Sequence, residues 1–353
     1  VHGPGAQLGP LSLRGGSTPY IAILSRLWNP MPVRRVAAAS GRLRAVPGSR
    51  LSPFGLVLLA IVTLGWGFTW PINKLIVNEI PPLTFRAVAL VGGGAMLLVV
   101  ARVGGQSLRL PVRYWGRLLA LAAFNIVGWN VLVIYGIALL PSGRAALLGY
   151  TFPLWSTLLS VWLLAEPLTL QRGVSVALGM GGVAVLLGGD FAHMAGAMTG
   201  VALTLGAAIS WAMGVVLLKR IVLPLQTVAL TAWMMLAGGV PILIAAIVLE
   251  QDRWRPVSTG AVLGLLYSLF IALMLCYWAW NRLVLMVPVA VSSVSSLATP
   301  VIGVASGMWM LGEPLTWREI AAGAFILGAL ALALDPRAGT REGRREARRR
   351  AMP

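Results

Sequence analysis

Arg144, Tyr150, Asn73, Asn125 and the hydroxyl run Ser292, Ser293, Ser295, Ser296 and Thr299 are polar residues set within or at the edges of long apolar stretches. Such side chains can hydrogen-bond a solute or balance its charge, and within lipid they are costly enough to mark a pathway. Acid–base or metal chemistry is a different matter. No Asp or Glu lies at the centre of an apolar run, the two histidines (His2 and His193) fall outside the runs, and Cys276 is the one cysteine. That leaves no carboxylate dyad, no disulfide framework and no ligand set for a metal or cofactor. The phosphate-loop pattern G-x-x-x-x-G-K-[ST] is absent too, so nothing here points to ATP hydrolysis or to an ATPase subunit. The chemistry on offer is binding, not catalysis. The 292–299 hydroxyls cover several faces of one helix, so some must bond back to their own backbone.

Aromatic residues, prolines and two glutamates complete the candidate set. Trp66 and Trp70 in the first apolar run and Trp211 in the sixth belong to a total of 14 tryptophans, many of which suit an interfacial belt. Trp66 and Trp211 hold corresponding places away from the membrane edge. Facing inward they line an apolar cavity fit for amphipathic or aromatic solutes; facing outward they touch lipid. Pro153 and Pro300 are read as mid-helix prolines that free a carbonyl, bend the helix and shape a cavity, with an inherited packing feature as the alternative. Pro71 would act similarly in the first run. Glu166 and Glu313 each end an apolar run before a proline, the position of a helix-end carboxylate that accepts N–H groups of the next helix. Arg144 follows L-P-S-G at a helix start, where the helix dipole disfavours a cation, so another group must hold it. Snorkelling to headgroups and a gating or carboxylate-binding role towards the cavity are both open. Lys74, Arg86 and Arg144 are expected at the outer rim, with Glu79 available to pair with one of them.

The elements that must position these residues are legible from hydropathy. Of 353 residues, 58% are hydrophobic and only 11% charged, and the mean hydropathy is +0.85. A soluble domain carries roughly 25% charge, so a surface this poor in charge belongs in lipid. The net charge of +18 sits in the tails and in some of the links between apolar runs, a placement that speaks against nucleic acid. Ten apolar runs follow, at 54–76, 83–101, 117–137, 144–164, 173–189, 198–218, 226–249, 259–280, 284–311 and 318–334. A helix needs about 20 residues to cross the hydrocarbon core, and the alternation of a membrane β-strand is missing.

The chain is written twice. P-L-W-S-T-L-L-S-V-W-L-L-A-E-P-L-T-L from Pro153 returns 147 residues later as P-V-I-G-V-A-S-G-M-W-M-L-G-E-P-L-T-W from Pro300, an internal duplication. Five runs per copy is an odd number, so the second copy must enter the membrane upside down. The expected fold is therefore an all-α integral membrane protein, ten transmembrane helices forming two five-helix inverted repeats around a central cavity. Repeats of this kind allow each half to exchange which side is open. The expected organisation is a basic cytoplasmic tail at 1–51, with Met31 as an alternative start, repeats at 52–190 and 196–335, and a basic cytoplasmic tail at 336–353. With the N-terminus inside, inner segments hold seven Lys/Arg in the first tail, eight between runs and seven in the second tail, against six outside. Both termini then lie in the cytoplasm of a multi-pass inner-membrane protein.

G-W-G-F-T-W-P (Gly65 to Pro71), A-I-S-W-A (Ala208 to Ala212), S-G-R-A-A-L-L (Ser142 to Leu148) and the two L-x-E-P-L-T endings resemble the EamA-type family of the drug/metabolite transporter superfamily over about residues 52 to 336. The resemblance implies secondary transport of a small solute (an amino acid, a related metabolite or a drug) through a cavity between the halves, in the outward direction. An importer or a channel-like permease is the alternative, and a membrane-embedded enzyme is disfavoured by the missing acidic clusters. Membrane lipids and the solute are the expected partners. Ten helices can enclose a cavity alone, so a monomer or weak homodimer is expected.

Overall fold

Backbone groups find no water within a bilayer, so apolar runs of this length must close their hydrogen bonds internally as helices. A computed structural model of the chain describes residues 53–164, 169–187, 195–286 and 289–334, with backbone alone for some of them, including 289–297. Every regular element among these residues is helical. The first two crossings are α1 (Pro53–Val77) and α2 (Pro82–Val103). The third joins α3 (Trp115–Ala122) and α4 (Trp129–Leu139) through a π-helical segment, Ala123–Gly128. The fourth is split into α5 (Ser142–Gly149) and α6 (Phe152–Leu164), and the fifth is α7 (Leu170–Leu187). In the second half follow α8 (Ala195–Arg220) and α9 (Thr227–Glu250). The eighth crossing runs from α10 (Thr259–Tyr267) through a π segment, Ser268–Leu275, into α11 (Cys276–Met286). Finally come α12 (Val289–Leu311) and α13 (Trp317–Leu334). Among the described residues eight crossings are long and apolar enough to span a bilayer by length and composition, and α12 and α13 complete the ten.

Packing obeys the symmetry of an inverted repeat. The most extensive pairings join the halves: α2 with α9, α7 with α13, α1 with α12 and α4 with α8. In the first two pairs, second crossing meets seventh and fifth meets tenth, each helix touching its own counterpart across a pseudo-twofold axis. First against ninth has its counterpart in sixth against fourth (α8 on α6), and third against sixth in eighth against first (α11 on α1). The two π segments also coincide when the chain is shifted by 147 residues. The duplication is thus carried by the backbone as well as by the sequence.

No hydrophobic drive exists between helices in lipid, so close van der Waals approach has to supply it. Where α4 meets α8, a Cβ added to Gly200 would fall 2.8 Å from Leu140 and 2.9 Å from Leu139. Gly128 lies against Ser210 and Gly136 against Thr204 across the same seam. The periphery is apolar: Trp162 and Trp309, equivalent residues of the duplicated motif, are 77% and 80% exposed, the environment of a lipid-facing belt.

One proline expectation is revised. Pro153 does not bend a continuous helix. The helix stops at Gly149, and Pro153 sits in the first turn of α6, where its missing N–H costs little. As the ring would collide with the carbonyl four residues back, the break falls at Tyr150–Thr151. The Thr151 hydroxyl donates to Leu148 O at 2.6 Å across it. Pro300 lies inside the unbroken α12, so the copies differ here. Pro71 lies inside α1, and the carbonyl of Gly67, four residues back, accepts from the Ser306 hydroxyl of α12 at 3.5 Å. The ninth run is also shorter than expected, since residues up to Met286 belong to the eighth crossing.

Candidate functional site

Between the halves lies a cavity of about 70 Å³, lined mostly by apolar and aromatic side chains with a few polar groups, the make-up of a small-solute site. From the first half, α1 contributes Trp66, Thr69, Trp70 and Asn73, α2 contributes Arg86, and α4 contributes Trp129 and Asn130. Tyr150 and Phe152 flank the break between α5 and α6. From the second half come Trp211 of α8, Tyr277 and Trp280 of α11, and Thr299 of α12.

Three rings form its aromatic centre. Trp66 and Trp211 meet edge to face at 6.3 Å, Trp66 and Tyr277 at 5.6 Å, and Trp211 and Tyr277 at 5.7 Å. Trp129 and Phe152 extend the wall from Trp211 at 5.2 and 6.4 Å, and Tyr150 bridges Trp70 and Phe152 at 6.1 and 6.0 Å. Each such pair contributes roughly 0.5–1.5 kcal/mol beyond burial, so the wall holds its shape without solute. The polar ends are tied down. The Trp66 indole N–H donates to Ala272 O at 3.0 Å, Asn130 Nδ2 to Ile126 O at 2.9 Å, and the Ser268 hydroxyl to Asn73 Oδ1 at 3.2 Å. Ala272 O and Ile126 O both belong to π segments, whose altered ladder frees carbonyls for such contacts.

One end of the bundle is closed by carboxylates on helix N-termini. Glu250 accepts from Leu83 N (3.1 Å), Thr84 N (2.8 Å) and the Tyr135 hydroxyl (3.3 Å). Glu313 accepts from Ser142 N, the Ser142 hydroxyl and Gly143 N at 2.6, 2.9 and 3.0 Å. Glu79 accepts from Ser258 N and its hydroxyl, both at 2.8 Å, and these two donors hold its carboxyl below the usual carboxylate range. Each contact runs from one half to the other and places a negative charge on the positive end of a helix dipole. Glu319 completes the set by capping its own helix at Thr316 N (3.1 Å) while its other oxygen takes Arg144 at 2.7 Å. Thr316 and Glu319 stand three apart, the spacing of a capping box.

Several expected residues converge on the cavity: Trp66, Trp70, Asn73, Tyr150, Trp211 and Thr299 all line it. Arg144 does not; its guanidinium is engaged by Glu319, the partner that its position at a helix start required. Asn125 is buried in the π segment against Gly214 and is not among the lining residues. Pro153 and Pro300 flank the site without lining it. Glu313 is a helix-end carboxylate, but the helix it caps is α5 of the other half, not the one that follows it. Glu79 pairs with Ser258 rather than with a cation. Lys74 donates to Ile137 O and Ala138 O, both at 2.9 Å, a cation on the carbonyl end of α4. Glu166 lies outside the described residues, as do the side chains of Ser292 and Ser295 and both tails.

The largest revision concerns Arg86. Expected at the rim, it is instead 4% exposed and lines the cavity. Pro81–Pro82 was the available signal: it fixes the helix start at Pro82 and so places Arg86 a full turn inside. Trp129, Phe152, Tyr277 and Trp280 were also missed as lining residues, because composition alone does not separate a belt ring from a cavity ring. Among the described residues, no group of three or more His, Cys, Asp or Glu could hold a metal ion.

Comparison with known proteins gives a consistent assignment. The EamA-like transporter family matches twice, at residues 53–188 and 198–334. The transporter YoaV of Bacillus subtilis is 24% identical over 277 residues, covering 78% of this chain and 93% of that protein. A probable amino-acid metabolite efflux pump of Salmonella typhimurium is 28% identical, covering 78% and 92%. The inner membrane transporter YedA of Escherichia coli is 29% identical, covering 80% and 91%. A solved crystal structure superposes with a TM-score of 0.59 at 21% identity, over 79% of this chain and 96% of that one, and so shares the fold.

Proposed function

This chain belongs to the EamA-like transporter family, a secondary transporter of small solutes across a membrane, and from that premise we propose that it exports an amino-acid-related metabolite by alternating access. The observation that carries this reading is the aromatic cavity. Its walls come from both halves, so a rocking of one half on the other would alter its exposure. The relatives described as probable amino-acid metabolite efflux pumps support the substrate class and the outward direction.

On this reading Trp66, Trp70, Trp211 and Tyr150 embrace the apolar part of the solute, and Asn73 and Thr299 offer it hydrogen bonds. Ser292 and Ser295 would add hydroxyls on the same path, Pro153 opens the second part of the fourth crossing next to Phe152, and Pro300 shapes the ninth next to Thr299. Arg144 serves as an outer lock through Glu319 rather than touching solute. The repeats comprise residues 52–190 and 196–335. The carboxylate-closed end faces outward, both termini lie in the cytoplasm, and the chain sits in the inner membrane as its relative YedA does, working as a monomer or weak homodimer. The distribution of basic residues supports this orientation.

The test is efflux from loaded proteoliposomes with a panel of amino acids, nucleosides and cationic drugs. Transport of an amino-acid-related solute that falls at least tenfold in Trp211→Ala supports the reading. Transport that survives Trp66→Ala and Trp211→Ala together overturns the site, and net uptake under every gradient overturns the direction.

A further inference from the structure

Arg86 is a buried cation in a cavity that supplies no anion. Its side chain is 4% exposed, and Nε has no hydrogen-bond partner. The guanidinium carbon stands 4.7 Å from the centroid of the Phe85 ring, which offers a π face but no negative charge. Among the described residues no carboxylate lies within ion-pair reach of it. Glu250, Glu313, Glu79 and Glu319, the carboxylates of the nearby bundle end, are occupied by helix N-termini and by Arg144. Arginine cannot shed its proton to escape burial, and an unpaired charge in a low-dielectric site is costly.

The remaining lining polar groups, Asn73, Asn130, Tyr150, Tyr277, Thr69 and Thr299, are all neutral. The cavity therefore presents one fixed positive charge within a wall of indole and phenol rings. Resting on the transport reading above, we propose that Arg86 is the charge-reading residue of the solute site, and that the site takes a monocarboxylate with an aromatic or similarly broad apolar body. The guanidinium fork matches a carboxylate in the bidentate geometry that makes such pairs strong. The Trp66–Trp211–Tyr277 cluster receives the body. A solute carrying only a cation meets like charge at Arg86 and is rejected, a discrimination by repulsion as well as by attraction.

Binding to the purified full-length protein in detergent tests this, read by tryptophan fluorescence and by calorimetry with three probes: phenylacetate, the neutral phenylacetamide and the cationic phenethylamine. Wild type is expected to bind phenylacetate at least tenfold more tightly than phenylacetamide and phenethylamine weakest of the three. Arg86→Gln should erase the preference for phenylacetate, and Arg86→Lys should restore part of it. Thermal unfolding of each variant reports folding, and if Arg86→Gln does not fold, Arg86→Lys and the wild-type probe ranking decide. Equal affinity of wild type for phenylacetate and phenylacetamide overturns the proposal, as does an unchanged preference in Arg86→Gln. If both probes bind equally and Trp211→Ala abolishes both, the cavity stands and the role of Arg86 falls. If none of the probes binds wild type, the monocarboxylate class is overturned, and efflux assays judge the transport reading separately. Chloride is titrated alongside; phenylacetate affinity that ignores chloride and Arg86→Gln alike also overturns the proposal.

Discussion

Glu313, on the turn after α12, accepts the backbone N–H of Ser142 at 2.6 Å and its hydroxyl at 2.9 Å, so a carboxylate of one half caps a helix of the other. The turn that aims it depends on Gly312, whose φ of +65° lies in the left-handed region, a conformation that costs other residues roughly 1–2 kcal/mol. The contact combines a satisfied helix terminus, charge on a dipole and a tie between repeats. All three are lost together when the halves part at this end, which makes it a suitable lock for a closed state.

Glu313→Ala is therefore expected to remove about 1–2 kcal/mol of capping energy and to lower the unfolding midpoint of purified protein by several degrees. Glu313→Gln, which keeps one accepting oxygen, should fall between. Gly312→Ala should reproduce part of the loss by misdirecting the turn. An unfolding midpoint in Glu313→Ala equal to that of wild type would show that the cap carries no stability.

Glu79 gives the same architecture a pH dependence. The Ser258 N–H and hydroxyl hold its carboxyl below the usual range near 4.3. Because the folded value is depressed, this contact stabilises fully above the unfolded value and is lost as pH falls through the folded one. Thermal midpoints measured from pH 7 downward should therefore drop below about pH 4 more steeply in wild type than in Glu79→Gln. Parallel curves for the two proteins would exclude the linkage.

How much of this was legible beforehand differs by residue. The ten crossings and the inverted repeat could be read because hydropathy and the E-P-L-T punctuation are one-dimensional signals. The partners of Glu313 and Glu79 could not, since a sequence shows that a carboxylate follows a helix and not which N-terminus stands beside it in space. Arg86 stands in the first turn of the run at 83–101, and sequence alone does not tell a cation at the rim from one turned into the cavity. Pro153 was misread for a related reason: a proline inside an apolar stretch marks either a bend or a new start, and only the backbone at Tyr150–Thr151 distinguishes them. Trp66 and Trp211 were singled out by their matching positions, and both line the cavity.

The Arg144–Glu319 pair should behave as a coupled unit. The partners are 14% and 10% exposed in their side chains, so water screens them less than it would a surface pair. Glu319 also caps Thr316, and Glu319→Gln keeps a capping oxygen while removing the charge. A double-mutant cycle of Arg144→Ala and Glu319→Gln is expected to give a coupling of about 1–3 kcal/mol by thermal or denaturant unfolding. A coupling near zero would mean that Arg144 is held by its other contacts and that the pair locks nothing.

Trp70 offers the sharpest test of how the cavity wall is set. Its ring lies between two glycines, one from each half. A Cβ added to Gly149 of α5 would stand 2.6 Å from Trp70 Cη2, and one added to Gly303 of α12 would stand 3.2 Å from Cδ1. The first distance is shorter than real contacts allow, so Gly149→Ala must displace the indole, which packs 6.1 Å from Tyr150 between centroids. Overpacking of this kind costs about 1–3 kcal/mol, and the displaced ring disturbs the cavity wall that Trp70 lines. Gly149→Ala is accordingly expected to weaken solute binding severalfold or more, whereas Gly303→Ala meets Ala146 Cβ at 2.9 Å before it meets the ring and acts first on the contact between α12 and α5. Trp70→Phe, which shortens the ring, should relieve the clash, so that Gly149→Ala/Trp70→Phe binds better than Gly149→Ala alone. If the double variant is the weaker binder, the glycine contact does not set the ring and the effect of Gly149 arises from the break in the fourth crossing instead.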